Sequence, residues 1–125
     1  MNGLTLDAGG LIALERNERR VNLLLAQAAN LGLRVTIPAT ALAQVIRNPA
    51  RQTRLSRLIR QPTTDVVALS ASDATAIGLL LARTRTADVV DAHVVICARR
   101  SGRLVVTSDP LDIGRIGPEL GLITV

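Results

Sequence analysis

The chain has 125 residues and a formal net charge of +5; 48% of its residues are hydrophobic and 20% charged, which predicts one compact soluble domain and excludes a disordered polyelectrolyte. All 15 cations are arginines, and the absence of lysine excludes P-loop phosphate binding and Schiff-base chemistry. The chain has one histidine, His93, and one cysteine, Cys97, which excludes an internal disulfide and a zinc site of nitrogen and sulfur ligands. A site in which carboxylates bind a hard cation is still possible.

Short strands and helices alternate in the first third of the chain. Residues 4–6 form a predicted strand, and the turn Asp7-Ala8-Gly9-Gly10 leads from it into a helix over residues 11–15. A second helix has apolar residues at spacings of three, four and seven, which places them on one face, and Gly32 ends it. These apolar residues are Val21, Leu24, Leu25 and Ala28.

The middle of the chain continues this alternation. Residues 33–37 predict a second strand, and Pro38 suits the first turn of a helix that runs to Ile46 before Asn48-Pro49 interrupts it. The next stretch sets an apolar stripe against an arginine stripe, as in a helix with one buried face. The apolar residues are Leu55, Leu58 and Ile59, and the arginine stripe is Arg51, Arg54, Arg57 and Arg60. Residues 65–69 are a third predicted strand.

Capping signals mark the fifth and sixth predicted helices. Ser70-Ala71-Ser72-Asp73 resembles a capping box that opens a helix with buried Ile77, Leu80 and Leu81. Residues 88–98 are rich in valine and suit either a strand or a buried helix. The arginines at 99 and 100 followed by Gly102 favour the helix, because cations in a last turn before glycine are a helix stop.

The last elements complete the pattern. Residues 103–107 predict a strand, a short helix begins near Asp109-Pro110, and residues 122–125 predict a final edge strand. Strands separated by helices imply right-handed crossovers. We therefore expect an α/β fold over residues 1–125 as a single domain, with a small, mostly parallel central sheet and helices on both faces.

Four aspartates fall where such a sheet places its chemistry, beyond the carboxyl ends of strands. They are Asp7, Asp91, Asp109 and Asp112. Two charges ~4 Å apart at an effective dielectric near 20 repel by ~4 kcal/mol, so the cluster requires protonation or a divalent cation. Carboxylates suit Mg²⁺ or Mn²⁺, which activate water and stabilise phosphoryl transition states.

Each aspartate also has a structural interpretation. Asp7 and Asp109 could be turn or cap residues, and Asp88 fits a helix N-cap, with Asp91 at the third helical position as its capping partner. Asp91 differs, because the valines around it predict a buried face on which an unpaired carboxylate costs several kcal/mol. We therefore expect Asp91 to have a charged partner.

Three segments in succession resemble PIN-domain ribonucleases, and most of all toxins of the VapC type. They are Leu4-Thr5-Leu6-Asp7 running into Leu11-Ile12-Ala13-Leu14, then Asp91-Ala92 opening an apolar helix, then Val105-Val106-Thr107-Ser108-Asp109-Pro110-Leu111-Asp112. The resemblance implies a PIN-like domain, a Mg²⁺- or Mn²⁺-dependent endoribonuclease, a homodimer and a neutralising antitoxin. It makes Asp7, Asp91 and Asp109 catalytic metal ligands, with Asp112 a further ligand.

One position departs from the family. The family generally has a glutamate in the helix after the second strand, and Gln44 holds the matching place. An amide can orient water or offer a carbonyl oxygen, but it removes one negative charge from the cage. The alternative function is therefore a PIN-like module that binds RNA or an antitoxin without efficient cleavage.

Several residues are candidates for supporting roles. Thr107 and Ser108 could hydrogen-bond a metal ligand or water, or simply cap the strand end. His93 and Cys97 are expected to be packed. Without Phe, Tyr or Trp, RNA contacts must use phosphates and arginine planes, for which Arg51, Arg54 and Arg57 are candidates, with a solvated helix face or a dimer contact as the alternatives.

The expected location is the cytoplasm. The start of the sequence has no basic stretch leading into a long apolar segment, and the lone cysteine agrees with a reducing compartment. We expect no membrane association.

Overall fold

The computed structural model describes residues 3–101 and 104–125. Its strands are β1 (Gly3–Leu6), β2 (Arg34–Pro38), β3 (Thr64–Val67), β4 (Leu104–Thr107) and β5 (Leu122–Thr124). Its helices are α1 (Ala8–Glu15), α2 (Arg19–Asn30), α3 (Ala39–Val45), α4 (Thr53–Ile59), α5 (Ala71–Thr84), α6 (Val89–Ser101) and α7 (Pro110–Ile116). The strands pair in parallel in the order β3-β2-β1-β4-β5. The expected parallel sheet, covered by helices, is confirmed.

The order of the strands reverses next to β1. The chain runs outward from β1 through β2 to β3, then returns to place β4 on the other side of β1. Leu4 accordingly pairs with Val35 of β2 and with Leu104 of β4. In open α/β sheets the ligand crevice lies outside the carboxyl ends of the strands at such a reversal. Here that place is the shared carboxyl edge of β1 and β4.

Helix α6 is the centre of the core. It contacts β1, β2 and β4 of the sheet and packs against α3, α5 and α7. Six of its residues are buried, and they lie around the helix rather than on one stripe, as expected for a helix enclosed on several sides. They are Ala92, His93, Val94, Val95, Cys97 and Ala98. Each buried valine contributes about 1.5–3 kcal/mol relative to exposure, so packing holds this helix and the first-turn Asp91 in place.

Two glycines let α1 approach β4 closely. A Cβ atom on Gly9 would lie 2.1 Å from Oγ of Ser108, and one on Gly10 would lie 2.7 Å from the carbonyl oxygen of Val106. Real Cβ atoms do not come that near to other atoms. The glycine pair therefore brings the start of α1, with Asp7, against the end of β4.

The ends of several elements differ from the predictions. Helix α1 begins at Ala8 rather than after Gly10, because the Asp7 side chain caps it. Strand β3 covers Thr64–Val67 rather than residues 65–69, since the two residues after it form the connection to the capping box of α5. The predicted helix stop at Gly102 and the strand start at Arg103 lie outside the described residues. Within the described ranges, every helix is too short or too polar to span a bilayer.

Candidate functional site

Asp7 is both a helix cap and a site residue. Its Oδ1 accepts a 2.8 Å hydrogen bond from the backbone N–H of Gly10, which confirms the cap interpretation. The residue is only 4% exposed. Burial raises the pKa of the Asp7 carboxyl, the Thr107 hydroxyl and the Gly10 amide oppose this rise, and the Asp109 charge adds to it. The carboxylate is thus held in one orientation at the carboxyl end of β1.

Thr107 links the ends of β1 and β4. Its buried hydroxyl interacts with the Asp7 carboxylate, and its Oγ1 accepts a 2.9 Å hydrogen bond from the backbone N–H of Asp109. The strand-end capping and the supporting contact that the sequence left as alternatives are therefore both present. The same side chain contacts the carboxylate of Asp7 and the backbone of Asp109.

Asp91 lies in the first turn of α6, where other carboxylates surround it. Its backbone N–H donates a 2.9 Å hydrogen bond to Oδ1 of Asp88, so Asp88 caps the helix as expected. Burial first, and then the charges of Asp88, Asp7, Asp112 and Asp109 in that order, together raise the pKa of Asp91 to about 6. Among the described residues no cationic side chain pairs with Asp91, so a charged partner for it stays a prediction. Its neighbours are acids.

Asp109 and Asp112 form a pair across the first turn of α7. A side-chain hydrogen bond with Asp109, together with the Asp109 charge, raises the pKa of Asp112, and Arg115 opposes the rise. The pair shows how concentrated the negative charge is at this edge of the sheet.

A pocket of about 240 Å³ opens beside these acids. Asp88, Asp91 and Asp112 line it, and so do two arginines that the sequence reasoning missed, Arg85 and Arg115. Arg115 could have been found, because it follows Asp112 by three residues and so shares its helix face. Arg85 could not, because its place depends on how α5 ends.

The carboxylates do not form a closed set of ligands. In residues 3–101 and 104–125, no three side chains of Asp, Glu, His or Cys are placed to hold one metal ion together. The donor chemistry nevertheless fits a hard divalent cation, because several carboxylates lie near this edge and neighbouring carboxyl groups raise the pKa values of Asp7, Asp91 and Asp112. Binding would require side-chain reorientation.

The fold has a close counterpart among solved structures. A chain in the crystal structure of VapBC2 from Rickettsia felis bound to a DNA fragment from their promoter is similar, with a TM-score of 0.70 over 98% of both chains and 17% identical residues. The chain has a PIN-like fold. No protein-family model matches it, and no curated protein does. At 17% sequence identity the similarity supports the fold alone, so the roles of individual residues must be argued from their geometry.

Gln44 occupies an exposed position on α3 of the PIN-like fold. Its side chain forms no hydrogen bond with another described residue. Thr40, one helical turn earlier on the same face, bonds to Nδ1 of the buried His93 at 2.6 Å, so this face of α3 adjoins α6. His93 and Cys97 are packed in the core as predicted, and burial raises the pKa of the Cys97 thiol to about 11.

The arginine stripe lies elsewhere. All four side chains are exposed, opposite the buried Leu55 and Leu58, as the amphipathic pattern predicted. Arg54 and Arg57 line a separate groove of about 520 Å³ that also includes Val35 and Thr64, near the amino ends of β2 and β3. The acidic pocket lies between the end of α5, the start of α6 and α7. RNA contacts by the stripe, including Arg51, stay a prediction.

Proposed function

We propose that this chain is a divalent-metal-dependent endoribonuclease that hydrolyses RNA phosphodiester bonds as the toxin of a toxin–antitoxin pair. One observation carries the proposal: at the strand-order reversal between β1 and β4, the Asp109 charge acts on Asp7, and the charges of Asp7, Asp109 and Asp112 act on Asp91. That edge is where an open α/β sheet performs its chemistry. The PIN-like fold supports the same function.

The acidic site by itself repels RNA. A phosphodiester approaching Asp7, Asp91 and Asp109 meets charges of its own sign, which costs several kcal/mol in a partly buried site. A divalent cation removes this repulsion and, when bound, supplies a Lewis acid that activates water and stabilises the charge of the phosphoryl transition state. Mg²⁺ and Mn²⁺ are the ions that carboxylate oxygens suit.

The four aspartates have different parts in this proposal. Asp7, Asp91 and Asp109 would hold the cation, and Asp112 would be a further ligand beside Asp109. Thr107 contacts the Asp7 carboxylate and the backbone N–H of Asp109 through its hydroxyl. Asp88 caps α6 by accepting a hydrogen bond from the backbone N–H of Asp91, and so it positions Asp91, a proposed metal ligand.

RNA cleavage by the purified protein tests the function. We expect a labelled RNA to be cut in Mn²⁺ and left intact in EDTA. Asp7→Asn is the matched variant, because asparagine keeps the helix cap and removes only the charge. Asp65→Asn, on β3 in an exposed pair with Arg34, is the control that keeps activity. Equal cleavage by wild type and Asp7→Asn would contradict the proposal.

A second candidate function is a PIN-like module that binds RNA or an antitoxin and cleaves poorly. Two features favour it: the neutral Gln44, which the resemblance matches to the family's glutamate, and the absence, within the described residues, of three acids already placed around one ion. Wild-type protein that binds RNA but leaves it intact in Mn²⁺ would select this candidate.

The proposed protein partner is an antitoxin. The similar structure is described as VapBC2 bound to promoter DNA, and the net charge of +5 on this chain suits an acidic partner segment. Co-expression with a small protein from an adjacent reading frame should yield a stable complex, and separate elution at micromolar concentration would contradict the assignment. A homodimer in the cytoplasm completes the proposal, and sedimentation of the purified protein tests the dimer.

A further inference from the structure

Arg85 and Arg115 are exposed cations on the wall of an acidic pocket. Both line the 240 Å³ pocket together with Asp88, Asp91 and Asp112. Within the described residues, neither arginine forms an ion pair with a carboxylate. The charge of Arg115 acts on Asp112, but no carboxylate of the described residues lies at ion-pair distance from either guanidinium group, so both can contact an anion from outside.

The backbone sets the position of each arginine. Arg85 ends α5 in the left-handed conformation, with φ 54° and ψ 43°, and its N–H bonds to the carbonyl oxygen of Leu81. This conformation is uncommon for a residue with a side chain, and here it turns the chain from α5 toward α6. Arg115 lies in the last turn of α7, one turn after Asp112. Two separate elements thus deliver cations to one pocket.

The size of the pocket limits the ligand. At about 240 Å³ it is smaller than the roughly 300–1,000 Å³ of pockets that enclose a whole drug-sized molecule. It has room for one part of a longer ligand, such as a phosphate with its sugar. The planar guanidinium group binds phosphate oxygens in a bidentate manner.

We propose that Arg85 and Arg115 bind the RNA phosphate next to the scissile one and so place the scissile phosphate over the carboxylates. This inference rests on the proposed ribonuclease function and assigns the substrate contact to the pocket rather than to the arginine stripe. The two arginines are positioning residues, because they would contact an RNA phosphate beside the reacting one and not the reacting atoms themselves.

Binding of a short labelled single-stranded RNA in EDTA tests the inference apart from cleavage. The test variant is Arg85→Asn with Arg115→Gln: asparagine tolerates the left-handed conformation, and glutamine keeps the helix. The control is Arg19→Gln with Arg20→Gln. These two exposed residues of α2 lie outside the pocket, and replacing them removes the same amount of charge. Circular dichroism verifies folding, and the single variant Arg115→Gln serves as a second test that leaves the α5 turn intact.

We expect the pocket variant to weaken the Kd at least about tenfold and the control to change it much less. The slope of log K against log salt should fall by about 1.4 in the pocket variant, for two lost phosphate contacts. Equal losses in both double variants, or no loss in the pocket variant, would overturn the inference, even if wild type cleaves RNA in Mn²⁺. If wild type does not cleave RNA but the pocket variant still binds RNA more weakly than the control, only the ribonuclease function is overturned.

Discussion

Arg100 near the end of α6 donates a 2.6 Å hydrogen bond from Nη2 to Oδ1 of Asp73 in the first turn of α5, and the Asp73 side chain is only 4% exposed. Asp73 also completes the capping box with Ser70: its N–H donates to Ser70 Oγ at 3.1 Å, and its Oδ2 accepts from the Ser70 N–H at 3.3 Å. One carboxylate therefore joins the start of α5 to the helix that carries Asp91.

Removing this carboxylate should destabilise the fold. Asp73→Ala loses the cap and leaves Arg100 without its partner, so we expect the melting temperature to fall by at least about 4 °C. Asp65→Ala, which breaks the exposed pair with Arg34, is the control and should cost less. Thermal unfolding followed by circular dichroism is suitable, because the chain has no Trp or Tyr for fluorescence. An equal effect of both variants would contradict this account.

The Asp73 bond also predicts acid sensitivity. Hydrogen bonds from Arg100 and Ser70 hold the pKa of Asp73 below its ordinary value. A lowered pKa in the folded state stabilises the protein above the unfolded pKa, and this contribution disappears as the pH falls through the folded value. Asp73→Ala should therefore lose less stability than wild type on acidification below pH 4.

Asp91 should have the opposite pH dependence. Burial and neighbouring acids raise its pKa to about 6, so the folded state binds the proton more tightly than the unfolded state does. The free energy of unfolding in EDTA should therefore fall as the pH rises from about 4 to about 6. Asp91→Asn should flatten this fall and stabilise the protein at pH 7 by about 1 kcal/mol, given solvent screening of the half-buried group. A destabilised Asp91→Asn at pH 7 would contradict the prediction.

A divalent cation should reverse that destabilisation. Mn²⁺ at about 100 times its Kd should add about 2.7 kcal/mol to the free energy of unfolding, because it binds only the folded state. Asp91→Asn should weaken the response and Asp65→Asn should keep it. Thermal unfolding at low salt with and without millimolar Mn²⁺ provides the measurement. An unchanged melting temperature would count against a metal site.

The hydrogen bonds of the Thr107 hydroxyl can be tested separately from the packing of its side chain. Thr107→Val keeps the shape of the side chain but removes the hydroxyl that Asp7 and Asp109 share. We expect cleavage to fall about tenfold or more and the Mn²⁺ requirement to rise, since one charge-assisted contact contributes roughly 1.5–3 kcal/mol. Thr107→Ser should restore most of the activity. Full activity in Thr107→Val would show that the hydroxyl only caps the strand.

Gln44→Glu distinguishes the two candidate functions. If Gln44 holds the family's acidic position, the new carboxylate should tighten Mn²⁺ binding, because attraction to the ion exceeds the added repulsion. A ribonuclease should then cleave faster or at lower Mn²⁺, whereas a binding module should gain activity that wild type lacks. Unchanged metal affinity and cleavage would mean that this exposed side chain does not act at the carboxylate site.

The sequence by itself determined the α/β class, most of the helices and strands, and four acids as candidates. Hydrophobic periodicity identified α2 and α4, and local capping chemistry identified α5 through Ser70 and Asp73, because these signals act between residues close in the chain. The caps formed by Asp7 and Asp88 were foreseen for the same reason.

Only the tertiary structure decided which acids meet and what surrounds them. The strand order places β4 beside β1, so Asp7 and Asp109 share Thr107 although 102 positions separate them in the chain. The charged partner expected for Asp91 is not a cationic side chain of the described residues. Apart from Asp88, the acids that act on it lie at α1 and α7, which packing brings to α6. Arg85 reaches the pocket through a left-handed residue that no local pattern specifies. Packing decides the contacts between distant segments, and periodicity and capping signals, which act between residues close in the chain, do not predict it.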